Sequence, residues 1–184
     1  MNFYIKYINP MSEIKTALIS VWDKSNLDNL ARKLSEVGIE IISSGGTAKF
    51  LREKGISVQD VSDITGFPEM LDGRVKTLHP KIHAGILAIR DKEQHIADLK
   101  SQEISSIDLV IVNFYPFEAT IADEGVGFQE VIENIDIGGP TIVRAASKNF
   151  QDVSVIVDPS DYESLIEKIS NGALSIDKEF NYNL

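Results

Sequence analysis

Short runs of apolar residues alternate along this chain with stretches whose apolar positions recur at helical spacing, and that alternation restricts the possible folds most. The run at 16–22, with Leu18, Ile19 and Val21, and the run at 107–114, with Ile107, Leu109, Val110, Ile111 and Val112, are too uniformly apolar for half-exposed strands. They suit strands buried on both faces of a parallel sheet. After the first run, Asp23 or Ser25 offers a cap, and Leu27, Leu30, Ala31, Leu34 and Val37 fall at i, i+3, i+4, i+7 and i+10 until Gly38 stops them. Further strands are expected at 39–43, 58–61 and 153–157. Helices are expected after the glycines at 45–46 and ending at Gly55, over 81–90 and 91–102, and through Phe128, Val131, Ile132 and Ile135. Another should start at Pro140, and a last one, with Leu165, Ile166 and Ile169 inward, should open on a capping box from Ser160 to Glu163 and close at Asn171 and Gly172. Residues 62–80 carry too much glycine, proline and polar side chain for regular structure. The expectation is an α/β fold with a mainly parallel sheet and helices on both faces.

Composition narrows the function. A length of 184 residues suits one core. Eighteen basic and twenty-eight acidic residues leave a net charge of −10, the wrong sign for gripping nucleic acid over a broad face. An anionic ligand would have to meet a local pocket. The absence of cysteine excludes disulfides and thiolate metal sites, and no apolar run approaches the roughly 18–20 residues of a membrane span. A cytoplasmic protein with no nucleic-acid or membrane partner is expected. Residues 1–12 read as an extension, with Met11 a second candidate start, 13–175 as the domain, and 176–184 as a polar tail.

Chemistry-bearing residues cluster at strand ends and helix starts. The stretch Gly73-Arg74-Val75-Lys76-Thr77-Leu78-His79-Pro80 sets two cations, a hydroxyl and an imidazole between a glycine and a proline. Ser44-Gly45-Gly46-Thr47 follows a strand and opens a helix; it is either a plain tight turn with a cap or a cradle of N–H groups for a phosphate. With Ser20 to Lys24, Asn113 to Tyr115 and Asp136 to Gly139, these segments would meet at one carboxyl edge of the sheet. Two glycine turns, several cations and one carboxylate would then share a cleft suited to a phosphorylated small molecule. His79 and His83 stand at i, i+4, but Pro80 occupies the place a zincin glutamate would take, so structural histidines are expected. Trp22 and Phe114 read as core or pocket wall.

The chain resembles a known family. Ser20-Val21-Trp22-Asp23-Lys24, Ser43-Ser44-Gly45-Gly46-Thr47-Ala48, Thr65-Gly66-Phe67-Pro68-Glu69-Met70, the 73–80 stretch, His83-Ala84-Gly85, Asn113-Phe114-Tyr115-Pro116-Phe117, Asp136-Ile137-Gly138-Gly139 and Arg144-Ala145-Ala146-Ser147-Lys148-Asn149 look like the inosine monophosphate (IMP) cyclohydrolase domain of the bifunctional purine-biosynthesis protein. The match runs from about residue 17 to about residue 158 and departs at Trp22, where many relatives carry serine. In that family a transformylase domain follows; no such segment lies within these 184 residues.

The resemblance implies a Rossmann-like three-layer sandwich of methylglyoxal-synthase type, in a homodimer, that closes the ring of a formamidoimidazole carboxamide ribotide without cofactor or metal. A separately encoded transformylase would be a possible partner. Chemistry and resemblance together suggest the roles. Asp136 would take the proton of the attacking amide, Lys76 would stabilise the formyl oxygen, and N–H groups near Ile137 and Gly138 would complete an oxyanion hole. Tyr115 and Lys148 would relay the proton to the departing hydroxide. Ser20, Lys24, Ser44, Gly45, Gly46, Thr47, Arg74, Thr77, Asn113 and Gly139 would hold the ribotide. A nucleotide-binding regulatory module of the same fold and a methylglyoxal synthase are the alternatives.

Overall fold

The computed structural model describes residues 13–123, 125–171 and 181. Its centre is a five-stranded sheet of β1 (Thr16–Ser20), β2 (Glu40–Ser43), β3 (Gln59–Asp60), β4 (Leu109–Val112) and β5 (Ser154–Ile156), in the order β3-β2-β1-β4-β5. Every pairing is parallel. Parallel neighbours need crossovers, and the chain supplies α1 (Leu27–Glu36), α2 (Gly45–Glu53), α3 (Val61–Thr65), α4 (Pro80–Leu87), α5 (Glu93–Ser101), α6 (Phe117–Ala122), α7 (Phe128–Glu133), α8 (Gly138–Lys148) and α9 (Tyr162–Ser170).

Strand alternation splits the core into two. Ala17, Ile19, Ile41, Leu109, Ile111 and Ile156 face α1, α2 and α9 through Leu30, Leu34, Leu51 and Leu165. Leu18, Ile42, Val110 and Val112 face α3, α4 and α8 through Val61, Ile82, Ile86 and Ile142. The α/β three-layer arrangement expected from the apolar runs is the one observed. Burial of each Leu or Ile contributes about 1.5–3 kcal/mol, so these two layers outweigh any surface pairing.

One buried ion pair anchors the sheet's amino edge. The Asp108 carboxylate accepts from the N–H groups of Lys15 (3.0 Å) and Thr16 (3.2 Å), tying β4 to β1 before the ladder begins. Arg90 stands 3.5 Å from its other oxygen and also donates to the carbonyls of Gly85, Ala88 and Ile107. Gly85 is obligatory here for a different reason: a methyl group would stand 2.7 Å from the Ser105 carbonyl.

Several local expectations change. Residues 61–75 are more ordered than their composition implies: α3 occupies the start, and Met70 and Val75 form an antiparallel bridge. The glycine pairs are not turns before helices but the first residues of α2 and α8. The helix at 128 forms as α7, yet none of its residues is buried, and Phe128 is 79% exposed. The Ser160–Glu163 capping box does not form, because Pro159–Asp161 is a 3-10 turn in which Asp158 accepts from the Ser160 N–H at 2.8 Å. The expected extension at 1–12, Gly172 and most of the tail at 176–184 lie outside the described residues. Asn181 is described, and its amide donates to the carbonyls of Phe150 (2.9 Å) and Val153 (3.3 Å).

Tyr162, at the start of α9, is buried in the first core layer. Burial pushes its hydroxyl up to about 12, the charge on Asp23 adds to this, and a hydrogen bond with Asn113 opposes it. A raised phenol leaves stability intact below its unfolded value near 10 and removes it as pH climbs toward the folded value. Tyr162→Phe should therefore remove roughly 1–1.5 kcal/mol of the destabilisation that develops between about pH 9 and about pH 11, read from urea unfolding at those two values.

Candidate functional site

The sheet order places a switch point between β1 and β4, since the chain winds from β1 out to β3 and returns on the other side. The carboxyl ends of those two strands diverge into different crossovers and leave a crevice. A cleft of about 540 Å³ lies there, within the roughly 300–1,000 Å³ range typical of small-molecule sites. Ser20, Val21, Trp22 and Lys24 come from the end of β1, and Ser44, Gly46 and Thr47 from the start of α2. The 72–76 loop gives Asp72, Gly73, Arg74 and Lys76, and β4 leads into Asn113 and Tyr115. Ile132, Glu133, Ile135 and 136–139 complete the wall.

Some residues expected to touch ligand are occupied in holding the walls. The Asn113 side-chain oxygen accepts from the N–H groups of Trp22 (2.8 Å) and Asp23 (2.9 Å), and its amide donates to the Asp23 carbonyl (2.9 Å). Asn113 thus clamps the loop that carries Lys24. Thr47 does the same from α2, accepting from the Val21 N–H at 3.1 Å and donating to the Val21 carbonyl at 3.0 Å. The Ser44 hydroxyl, by contrast, is buried in the cleft floor without a protein partner. A buried unpaired hydroxyl beside the opening N–H groups of α2 is the arrangement a phosphate oxygen would satisfy.

Asp136 stands at the other helix start. One carboxylate oxygen accepts from the Gly139 N–H at 2.9 Å, and a methyl group on Gly139 would stand 2.5 Å from the other oxygen and 3.1 Å from the Phe114 ring. Glycine at 139 is therefore the condition for the carboxylate's position. The Gly138 N–H lies in the same first turn, where no intrahelical acceptor is available. Thr77 is buried, and its hydroxyl would meet a methyl group on Gly138 at 3.0 Å, so it packs behind that turn. Tyr115 is half-exposed, with its ring 6.5 Å from that of Trp22, which is itself 49% exposed rather than core. Phe114 is likewise exposed.

One site expectation, Lys148, lies apart from the cleft. Lys148 ends α8, ten residues from Gly138 and so about 15 Å along the axis. Asn149 is buried and donates to the carbonyls of Ile86 (2.8 Å) and Ala88 (3.0 Å). His79 caps α4, its Nδ1 accepting from the Lys81 N–H at 3.2 Å, while burial holds the His83 imidazole below its usual value.

Asp72, Ile132, Glu133 and Ile135 were not expected in the cleft. Glu133 matters most. Arg74 donates to both of its oxygens, through Nε at 3.2 Å and through a second bond, and Gln129 adds a third at 3.2 Å. The Arg74 bond foremost, then Gln129, holds the Glu133 carboxyl below its ordinary range. Nothing in the 128–135 pattern distinguishes a helix set against the core from one that lends a carboxylate to a loop.

A family model described as the MGS-like domain matches residues 26–141. The chain belongs to that family. Among relatives of this MGS-like domain, the bifunctional purine biosynthesis protein PurH of Acetivibrio thermocellus is 62% identical over 156 residues, covering 85% of this chain and 30% of the relative. PurH of Bacillus subtilis is 55% identical over 167 residues, covering 90% and 33%. The chain thus spans about a third of the length of the curated relatives it matches. A crystal structure of ForH superposes on this MGS-like domain with a TM-score of 0.77 at 35% identity, covering 86% of this chain and 79% of that one.

Arg74 is engaged by an internal carboxylate at the cleft mouth, so an anionic ligand must compete with Glu133 for it. Glu133→Gln should tighten binding of an anion such as inorganic phosphate about 2–5-fold in calorimetric titration, the scale of an exposed ion pair. The gain should shrink as salt is raised.

Proposed function

We propose that this MGS-like domain is an IMP cyclohydrolase, acting in purine biosynthesis as the name of its PurH relatives suggests. The observation that carries the reading is the Asp136 carboxylate, fixed by the Gly139 N–H in the cleft that also holds Lys76. Phosphate binding alone needs glycine turns and cations. A carboxylate held at a helix start, in one cleft with an ammonium, suits a proton transfer.

The substrate would be 5-formamidoimidazole-4-carboxamide ribotide. Its carboxamide nitrogen attacks the formyl carbon, a carbon–nitrogen bond closes the ring, and the formyl oxygen leaves as water with two hydrogens from the substrate. Both reacting groups belong to one molecule, so holding the nitrogen against the carbon supplies much of the acceleration. Asp136 accepts the proton that the nitrogen sheds. Lys76 and the Gly138 N–H stabilise the oxygen as it gains charge. Tyr115, at the same edge, returns a proton to that oxygen as it leaves. Lys148, at the far end of α8, has no part in this reading within its own chain's cleft. The ribotide phosphate sits over Ser44 and the first turn of α2, with Lys24 nearby.

The test is formation of IMP followed by absorbance with no added metal or cofactor. The wild-type protein should turn over. Asp136→Asn should lose about 10²–10⁴-fold in kcat and Lys76→Ala about 10²–10³-fold, with IMP still bound. Binding of IMP without turnover would favour a regulatory module, and phosphate release from dihydroxyacetone phosphate a methylglyoxal synthase.

A further inference from the structure

We infer that Glu69, a residue of the 65–70 stretch with no part in the chemistry above, is the positioning residue for Lys76. The inference rests on the ring-closing reading for its catalytic consequence and on geometry alone for the contact itself.

The bridge between Met70 and Val75 sets the register. Met70 N–H donates to the Val75 carbonyl at 3.0 Å and Val75 N–H returns the bond at 3.3 Å. The residues between them reverse the chain through Leu71 (φ 56), Asp72 (φ 54) and Gly73 (φ 90). In an antiparallel pair the next positions outward are opposite each other with side chains on one face, and here those are Glu69 and Lys76. Their charged ends stand 3.9 Å apart. Gly73 keeps the space between them clear, since a methyl group there would stand 2.6 Å from the Glu69 carboxylate and 3.4 Å from the Lys76 ammonium.

Before a ribotide phosphate reaches the first turn of α2, Lys76 needs such a partner because of where its ammonium lies. A methyl group on Gly45 would stand 3.0 Å from Nζ, which puts the cation against the first turn of α2. The partial positive charge of a helix start disfavours a cation there. A carboxylate on the other side offsets that repulsion and gives the flexible side chain one direction. Glu69 is not part of the cleft wall, so it acts through Lys76 rather than on the substrate. With Lys76 33% and Glu69 43% exposed, the pair contributes little to stability, and its effect is on direction.

Two readouts test the inference. The first needs no turnover: protein labelled with 13C at lysine Cε, with the Lys76 signal assigned by its loss in Lys76→Ala. In the wild type that signal should stand apart from those of solvated lysines, and in Glu69→Gln it should move to join them. The second is a kinetic cycle. Glu69→Gln should lower kcat about 10-fold or more with KM within about twofold, and Glu69→Asp should recover part of the loss. In the Lys76→Ala background, Glu69→Gln should have no further effect on kcat. The melting temperature of Glu69→Gln should stay near that of the wild type. An unmoved Lys76 signal overturns the inference whatever the activity, as does a Glu69→Gln loss that is equally large without Lys76. A moved signal in a wild-type protein that forms no IMP would uphold the contact and overturn the ring-closing reading instead.

Discussion

Parallel strands cannot be joined by tight turns, and this constraint organises the molecule. Each strand must hand the chain to a crossover at its carboxyl end, so β1, β2 and β4 all release their following segments at one edge. The backbone groups freed there have lost their ladder partners. The protein satisfies several with two side chains, Asn113 bonding to residues 22 and 23 and Thr47 to Val21. These clamps convert loose strand ends into walls. The cleft is the space the walls leave, and the glycine starts of α2 and α8 face it because those helices begin where β2 and the 128–137 segment deliver them.

The groups that would do chemistry are held lightly by comparison. Asp136 is kept by one N–H and the missing side chain of Gly139, and Lys76 by one carboxylate across a six-residue loop. Arg74 is drawn to Glu133, an anion of the protein's own. A site organised in this way has rigid boundaries and adjustable charges. Under the proposed function, a charged ligand would be admitted by an exchange of partners at Arg74.

The sheet and its two covering layers were legible because burial on both faces writes uniform apolar runs, as at 109–112, and helical spacing writes the inward stripe of α1. The cleft's location was legible because parallel topology dictates which edge the loops share. Less could be read where a polar side chain has two possible partners. Asn113 and Thr47 suggested ligand contacts, but backbone groups claimed them first. Residues 62–80 looked irregular because a five-residue helix and a single bridge leave no periodic pattern. Glu133 escaped notice because its role depends on a loop 59 positions earlier in the chain. Asp136 and Lys148 were read into one site, yet a helix three turns long separates them.

The position of β1 has a further consequence for how the protein is made. β1 is flanked by β2 and by β4, and its second edge pairs with residues 109–112. On the ribosome β1 and β2 emerge early, while β4 follows only after some sixty-five further residues, about 3–13 s later at ordinary elongation rates. Through that interval Leu18 and Ile19 belong to a strand with one bare edge, the kind of surface that pairs with strangers. Arrival of β4 covers that edge.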